Sequence, residues 1–193
     1  ASVVNAATGR AVVSSHSPAD ELPMIALQPG WAEQDPDVWW DHVRISIKNC
    51  MKAPGVKPSA IKAIGISYQM HGLVPVGDDH KPVRNSIIWC DSRAVEIGER
   101  AFKSLGEQFC LQHLLNSPGN FTASKLAWMR EWEPDNFHRI EKIMLPGDYV
   151  AMRLTGEIST TETGLSEGIF WDYSSRAVSG EVLSYYQIEK EMI

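Results

Sequence analysis

"AIGISYQMHGLVPV", residues 63–76, decides how this chain is read: a small apolar run enters Gln69, Met70 and His71 and leaves as a second apolar run. Short β-branched runs of this kind predict strands covered on both faces, as in a sheet flanked by helices. "SIIWCDSR", residues 86–93, repeats the arrangement, with Trp89, Asp91 and Arg93 following an apolar run. In open α/β sheets, ligands collect beyond strand ends, where loops set polar side chains over a rigid base. The two clusters are therefore candidate site residues, and the fold must decide whether they form one site.

Outward from this centre, "ASVVN", "AATG" and "RAVVSS" predict a hairpin of two β-branched strands. "DPDVWWDHVRISIKNCMK" predicts a helix with Asp35 as N-cap, Pro36 at its first position, and Trp39, Val43 and Ile47 on one face. "AIKAIGIS", "LVPV" and "SIIW" supply strands; after them Glu96 and Arg100, four apart, predict an exposed helical pair. "EQFCLQHLL", "ASKLAWMREW", "DNFHRIEK", "DYVAMRL" and "GEVLSYYQI" are predicted helices, with "IFWDY" a strand between the last two. The expected class is α/β, a mixed sheet flanked by helices with a helix-rich second part.

The 193 residues suffice for one well-buried domain or one plus part of another, and 44% hydrophobic with 22% charged residues is globular composition. No run approaches the roughly 18 apolar residues of a membrane helix. Cys50, Cys90 and Cys110 stand singly and cannot all pair, which points to a reducing, cytoplasmic setting. A formal charge of -6 with no basic run argues against a nucleic-acid partner. Dispersed histidines with no Cys-x-x-Cys or His-Glu-x-x-His leave no protein-made metal site, and no Walker, G-x-G-x-x-G or G-x-S-x-G motif occurs.

His71 alone is as compatible with an ordinary turn histidine as with a ligand contact. Gln69 beside it adds a group with both donors and acceptors, as a polyhydroxylated ligand needs. Trp89 offers an apolar face for the aliphatic side of a sugar, or simply packs in the core. Asp91 and Arg93 read better as a strand-to-helix corner, Asp91 capping the helix and Arg93 binding a neighbouring carboxylate, than as catalytic acid and clamp.

"GWAEQDPDVWW" (30–40), "GISYQMHG" (65–72), "IIWCDSR" (87–93), "FTASKLAW" (121–128), "LPGDYVAMRLTGE" (145–157) and "TGLSEGIFWD" (163–172) stand in the order seen in the FGGY carbohydrate kinases. The resemblance spans essentially the whole chain and is greatest to members acting on a ketopentose; glycerol-specific members are expected to carry Arg-Glu where Met70-His71 stand. It implies an actin-like ATPase, ribonuclease H-like fold of two lobes, residues 1–193 being most of the N-terminal, sugar-binding lobe. It implies transfer of the γ-phosphoryl of ATP, with Mg2+, to a ketopentose hydroxyl, D-xylulose giving xylulose 5-phosphate. Met70 and His71 would contact the sugar, Trp89 would pack on it, and Phe121 would line the pocket, with Gln69 beside them.

The resemblance also implies parts that these residues do not contain. "ASVVNAATG" matches the family just after its first strand and Gly-Thr/Ser phosphate turn, and the family's general-base aspartate falls beyond Ile193. No catalytic residue is therefore expected in this segment, which alone should be inactive, with ATP and Mg2+ held mainly elsewhere. Asn120 stands where the family carries Gly or another small or aromatic residue. A kinase for ribulose, gluconate or glycerol, and a noncatalytic sugar-binding module, are the competing expectations. The partners expected are sugar and ATP, with homodimerisation left open.

Overall fold

The computed structural model describes residues 1–193, which divide into two compact units, Ala1–Pro23 with Asp37–Ile66 and Met24–Pro36 with Ser67–Ile193. In the first unit the expected hairpin forms from β1 (Ser2–Val4) and β2 (Ala11–Ser14), antiparallel with Val3 opposite Val13. Its turn is closed by Asn5, whose side-chain oxygen accepts from the amides of Ala7 and Thr8 at 2.9 and 3.1 Å. Helix α1 (Pro36–Met51) carries the expected inner face: Trp39, Val43 and Ile47 are partly buried and Ser46 and Cys50 are buried, while Val38 and Ile45 are exposed. No helix in the chain is long and apolar enough to cross a membrane.

The run before the site departs from expectation. Residues 61–69 form no strand, and Ile64 is 66% exposed. An apolar run becomes a strand only where another strand satisfies its amides and carbonyls, and no strand pairs with this one.

The second unit is built on a row of short antiparallel ladders. β3 (Glu33–Gln34) pairs with β5 (Ser86–Ile87), and β4 (Val74–Val76) pairs with β6 (Lys142–Met144). An antiparallel bridge between Leu73 and Ile87 joins the two ladders. β6 replaces the end of the expected helix "DNFHRIEK", which stops after one turn as α5 (Pro134–Phe137), because Lys142–Met144 is the partner that β4 lacks within its own segment.

Around this row lie α2 (Val95–Leu105), the short α3 (Glu107–Phe109) running into a π-turn at Cys110–Leu114, α4 (Thr122–Trp132), α6 (Pro146–Thr155), α7 (Glu162–Glu167) and α8 (Gly180–Tyr186). A small hairpin of β7 (Trp171–Asp172) and β8 (Ala177–Val178) separates α7 from α8. α4 is the centre: Thr122 through Met129 are all buried, so it is enclosed on every face. α2 packs so closely on the turn before α4 that a Cβ on Gly98 would lie 1.7 Å from the carbonyl oxygen of Gly119. Arg100 does not pair with Glu96; it bridges from α2 to Glu131 on α4 at 2.7 and 2.9 Å, an interhelix contact that spacing within one helix does not reveal.

Candidate functional site

The antiparallel bridge between Leu73 and Ile87 sets the start of β4 beside the end of β5. The residues before β4, Gln69 to Gly72, and those after β5, Trp89 to Arg93, therefore emerge at one edge. Two contacts close the corner. The Gln69 side-chain oxygen accepts from the Trp89 amide at 3.2 Å. Lys125 Nζ donates to the main-chain oxygens of His71 and Ile88, at 2.8 and 3.0 Å.

Lys125 is fully buried on α4, and burial pushes its ammonium down to about 8, with Asp91 opposing the shift. It went unnoticed as a site residue in the sequence, yet a single cation inside a helix otherwise enclosed on every face must have partners.

His71 sits at φ 60°, in the left-handed region that costs a residue with a β-carbon about 1 kcal/mol. Next to it, Gly72 leaves no room for a side chain, since a Cβ there would lie 2.6 Å from the Pro146 ring. The imidazole meets Phe121 edge-on, centroids 4.3 Å apart. Its Nδ1 lies 3.2 Å from the main-chain oxygen of Glu167 and 3.3 Å from Glu167 Oε2. Both are acceptors, so in the neutral ring the hydrogen sits on Nδ1 and Nε2 carries the free lone pair. The Nδ1–H is aligned on the main-chain oxygen; Oε2, buried, has no aligned donor. Glu167 and Tyr68 are the further residues at this edge that the motifs alone did not single out. Tyr68 packs on Gly147, where a Cβ would lie 2.1 Å from its ring, and its hydroxyl is pushed up by burial and then by the charges of Asp148 and Glu167.

Asp91 and Arg93 face inward. The Asp91 carboxylate accepts from the Ala32 amide at 2.6 Å and from the Arg93 amide at 2.9 Å, and Arg93 Nη2 reaches it at 2.7 Å. Asp91 does not cap α2, whose N-cap residue is Ala94 with no side-chain cap; its lone pairs are spent on Ala32 and Arg93. Arg93 also pairs with Glu33 at 2.8 Å and lies over the rings of Trp31 and Trp128 at 3.9 and 4.7 Å. Arg84 completes the network by bonding Glu33 and, at 2.5 Å, Glu133. Asn120 Nδ2 donates to the Asp91 carbonyl, tying the start of α4 to the same corner.

Trp89 is 59% exposed and Met70 51%, so neither is a core side chain. Two cavities of about 170 and 190 Å3 are lined by other residues, one by Asp148 and Thr160, the other by Arg100 and Tyr185. The segments that Lys125 ties together thus carry an indole, a thioether and an imidazole lone pair, with the Phe121 phenyl ring against the imidazole. Such a set suits hydroxyls and C–H surface. It does not suit a triphosphate, because Lys125 and Arg93 are committed to carbonyls and carboxylates.

The fold is that of the actin-like ATPase, ribonuclease H-like class. Residues 1–193 match the N-terminal domain of the FGGY family of carbohydrate kinases, and the chain belongs to that family. The xylulose kinase of Haemophilus influenzae is 34% identical over 176 residues, 88% of this chain and 36% of that protein. The crystal structure of a xyloylose kinase from Brucella ovis superposes with a TM-score of 0.82 at 32% identity, covering 90% of this chain and 36% of that one. A gluconate kinase from Lactobacillus acidophilus has the same TM-score, 0.82, at 27% identity, covering 95% and 36%. The chain spans about a third of the length of the curated relatives it matches.

Proposed function

We propose that this chain is most of the N-terminal lobe of an ATP-dependent xylulokinase and supplies the sugar-binding side of the transfer of a phosphoryl group to D-xylulose. The observation that supports this is the buried ammonium of Lys125, bonded to the main-chain oxygens of His71 and Ile88, which ties together the segments that carry His71 and Trp89; in this reading the two side chains border one ledge. His71 Nε2 accepts from a sugar hydroxyl, Trp89 covers the C–H face, and Met70 and Phe121 complete the wall, with Gln69 fixing the Trp89 backbone. Asp91 and Arg93 hold the corner. Phosphoryl transfer asks mostly for alignment of acceptor hydroxyl, phosphorus and leaving oxygen, and these residues align the acceptor. When bound, MgATP supplies the phosphoryl group and spreads its charge.

Relatives named for xylulose and gluconate on the same fold make the acceptor the open variable. The three free thiols fit a reducing, cytosolic setting. A coupled kinase assay of the full-length protein over D-xylulose, ribulose, gluconate and glycerol decides. The highest kcat/KM is expected for D-xylulose. A preference for glycerol or gluconate, or no ATP-dependent phosphorylation of any of the four, overturns the assignment.

A further inference from the structure

The charges at the inner corner cancel. Arg93 and Arg84 pair with Asp91, Glu33 and Glu133, and Lys125, bonded to main-chain oxygens, feels the Asp91 charge. Glu167 stands outside that balance. Its ion-pair partner is the His71 imidazole, 3.3 Å from Oε2, and no Lys or Arg pairs with it. Its side chain is 37% exposed while Oε2 is buried beside His71 without a hydrogen-bond donor, so one carboxylate oxygen is turned inward.

Resting on the sugar-site reading above, we infer that Glu167 is a specificity-determining residue: its fixed negative charge behind His71 admits neutral polyhydroxylated ligands and rejects those bearing a carboxylate. A ligand atom bonded to His71 Nε2 lies one imidazole ring away from Glu167, roughly 7 Å. At that separation, in a partly buried setting, two like charges oppose each other by enough to lower affinity on the order of tenfold to a hundredfold. A neutral hydroxyl at the same place loses nothing, and gains from an imidazole whose Nδ1 hydrogen is directed away from it. The ketopentose is thereby separated from an aldonate of similar hydroxyl pattern, a distinction that hydrogen bonds to hydroxyls alone make poorly.

The test is calorimetric titration of full-length wild type, Glu167→Gln and Glu167→Ala with D-xylulose and with gluconate, alongside melting curves for all three. Glu167→Gln keeps the shape and an acceptor for His71 while removing the charge, so a structural role leaves the ratio of gluconate to xylulose Kd unmoved. The expected result is a ratio that falls at least tenfold in Glu167→Gln, through tighter gluconate binding, with xylulose affinity changed less than about threefold. Glu167→Ala should lower the ratio equally while weakening xylulose. An unchanged ratio in folded Glu167→Gln overturns the inference while leaving the kinase reading intact. Failure of wild type to bind xylulose at all overturns that reading, and this inference with it.

Discussion

Lys125 and His71 are joined through the backbone: the ammonium of one holds the main-chain oxygen of the other at 2.8 Å, while the same nitrogen holds Ile88 O at 3.0 Å. A left-handed residue at the start of a strand is thus held from below by a cation at the centre of the most enclosed helix. Replacing Lys125 by Met removes both ties and leaves two carbonyls without donors. A loss of about 2–4 kcal/mol is expected in urea denaturation at pH 7. A loss below about 0.5 kcal/mol would show that the clamp contributes nothing.

The same group sets a pH dependence whose sign is opposite to that of a salt-bridged lysine. Its folded pKa, about 8, is below 10.5, so between these values the unfolded chain binds more protons. Stability from this group therefore rises with pH through that window, by about 2 kcal/mol between pH 7.5 and 9.5. Tyr186, whose hydroxyl burial pushes up, acts the other way only above its unfolded value of 10.0. Denaturation of wild type against Lys125→Met at both pH values isolates the effect, and equal pH slopes in the two proteins would contradict it.

Arg93 is 1% exposed at its side chain and shared between Asp91 and Glu33. Arg93→Met leaves buried Asp91 without a cationic partner and Glu33 with Arg84 alone, and should cost about 3–5 kcal/mol. A variant melting within a few degrees of wild type would place the network outside the energetics of the corner.

Gly98→Ala improves helix propensity by about 1 kcal/mol but drives a methyl into the Gly119 backbone, 1.7 Å from its oxygen. Backbone cannot swing aside as a side chain can, so a net loss of about 2 kcal/mol or more is expected from chemical denaturation. A neutral or stabilised variant would mean that α2 and the start of α4 are not packed this closely.

The long periodic helix was the most legible part of the sequence, because Asp35, Pro36 and the Trp39–Val43–Ile47 spacing are local signals that tertiary contacts reinforce. Residues 61–66 and 142–144 were not legible: both are short apolar runs, and whether such a run is strand, helix or neither depends on which segment offers it hydrogen bonds. The site was half legible. Polar residues beside apolar runs marked Gln69, His71 and Trp89, but the register that brings them to one edge is a single bridge, Leu73 to Ile87. Lys125 carried a readable signal, a lone charge in "FTASKLAWM"; Glu167, 96 positions from His71, carried none.

His71→Ala in the full-length protein removes a ligand hydrogen bond and relieves the left-handed strain only in part. Sugar kcat/KM should fall by about 1–3 kcal/mol, roughly fivefold to a hundred-and-fiftyfold, with the KM for ATP unchanged. Equal losses for both substrates would assign His71 to the fold rather than to the sugar.

The most direct measurement is a crystal structure of the full-length protein with D-xylulose. His71 Nε2 should lie within hydrogen-bond distance of a sugar hydroxyl, and the Trp89 ring should cover the sugar's C–H face. Xylulose bound elsewhere, with the ledge between His71 and Trp89 still facing water, would contradict the account.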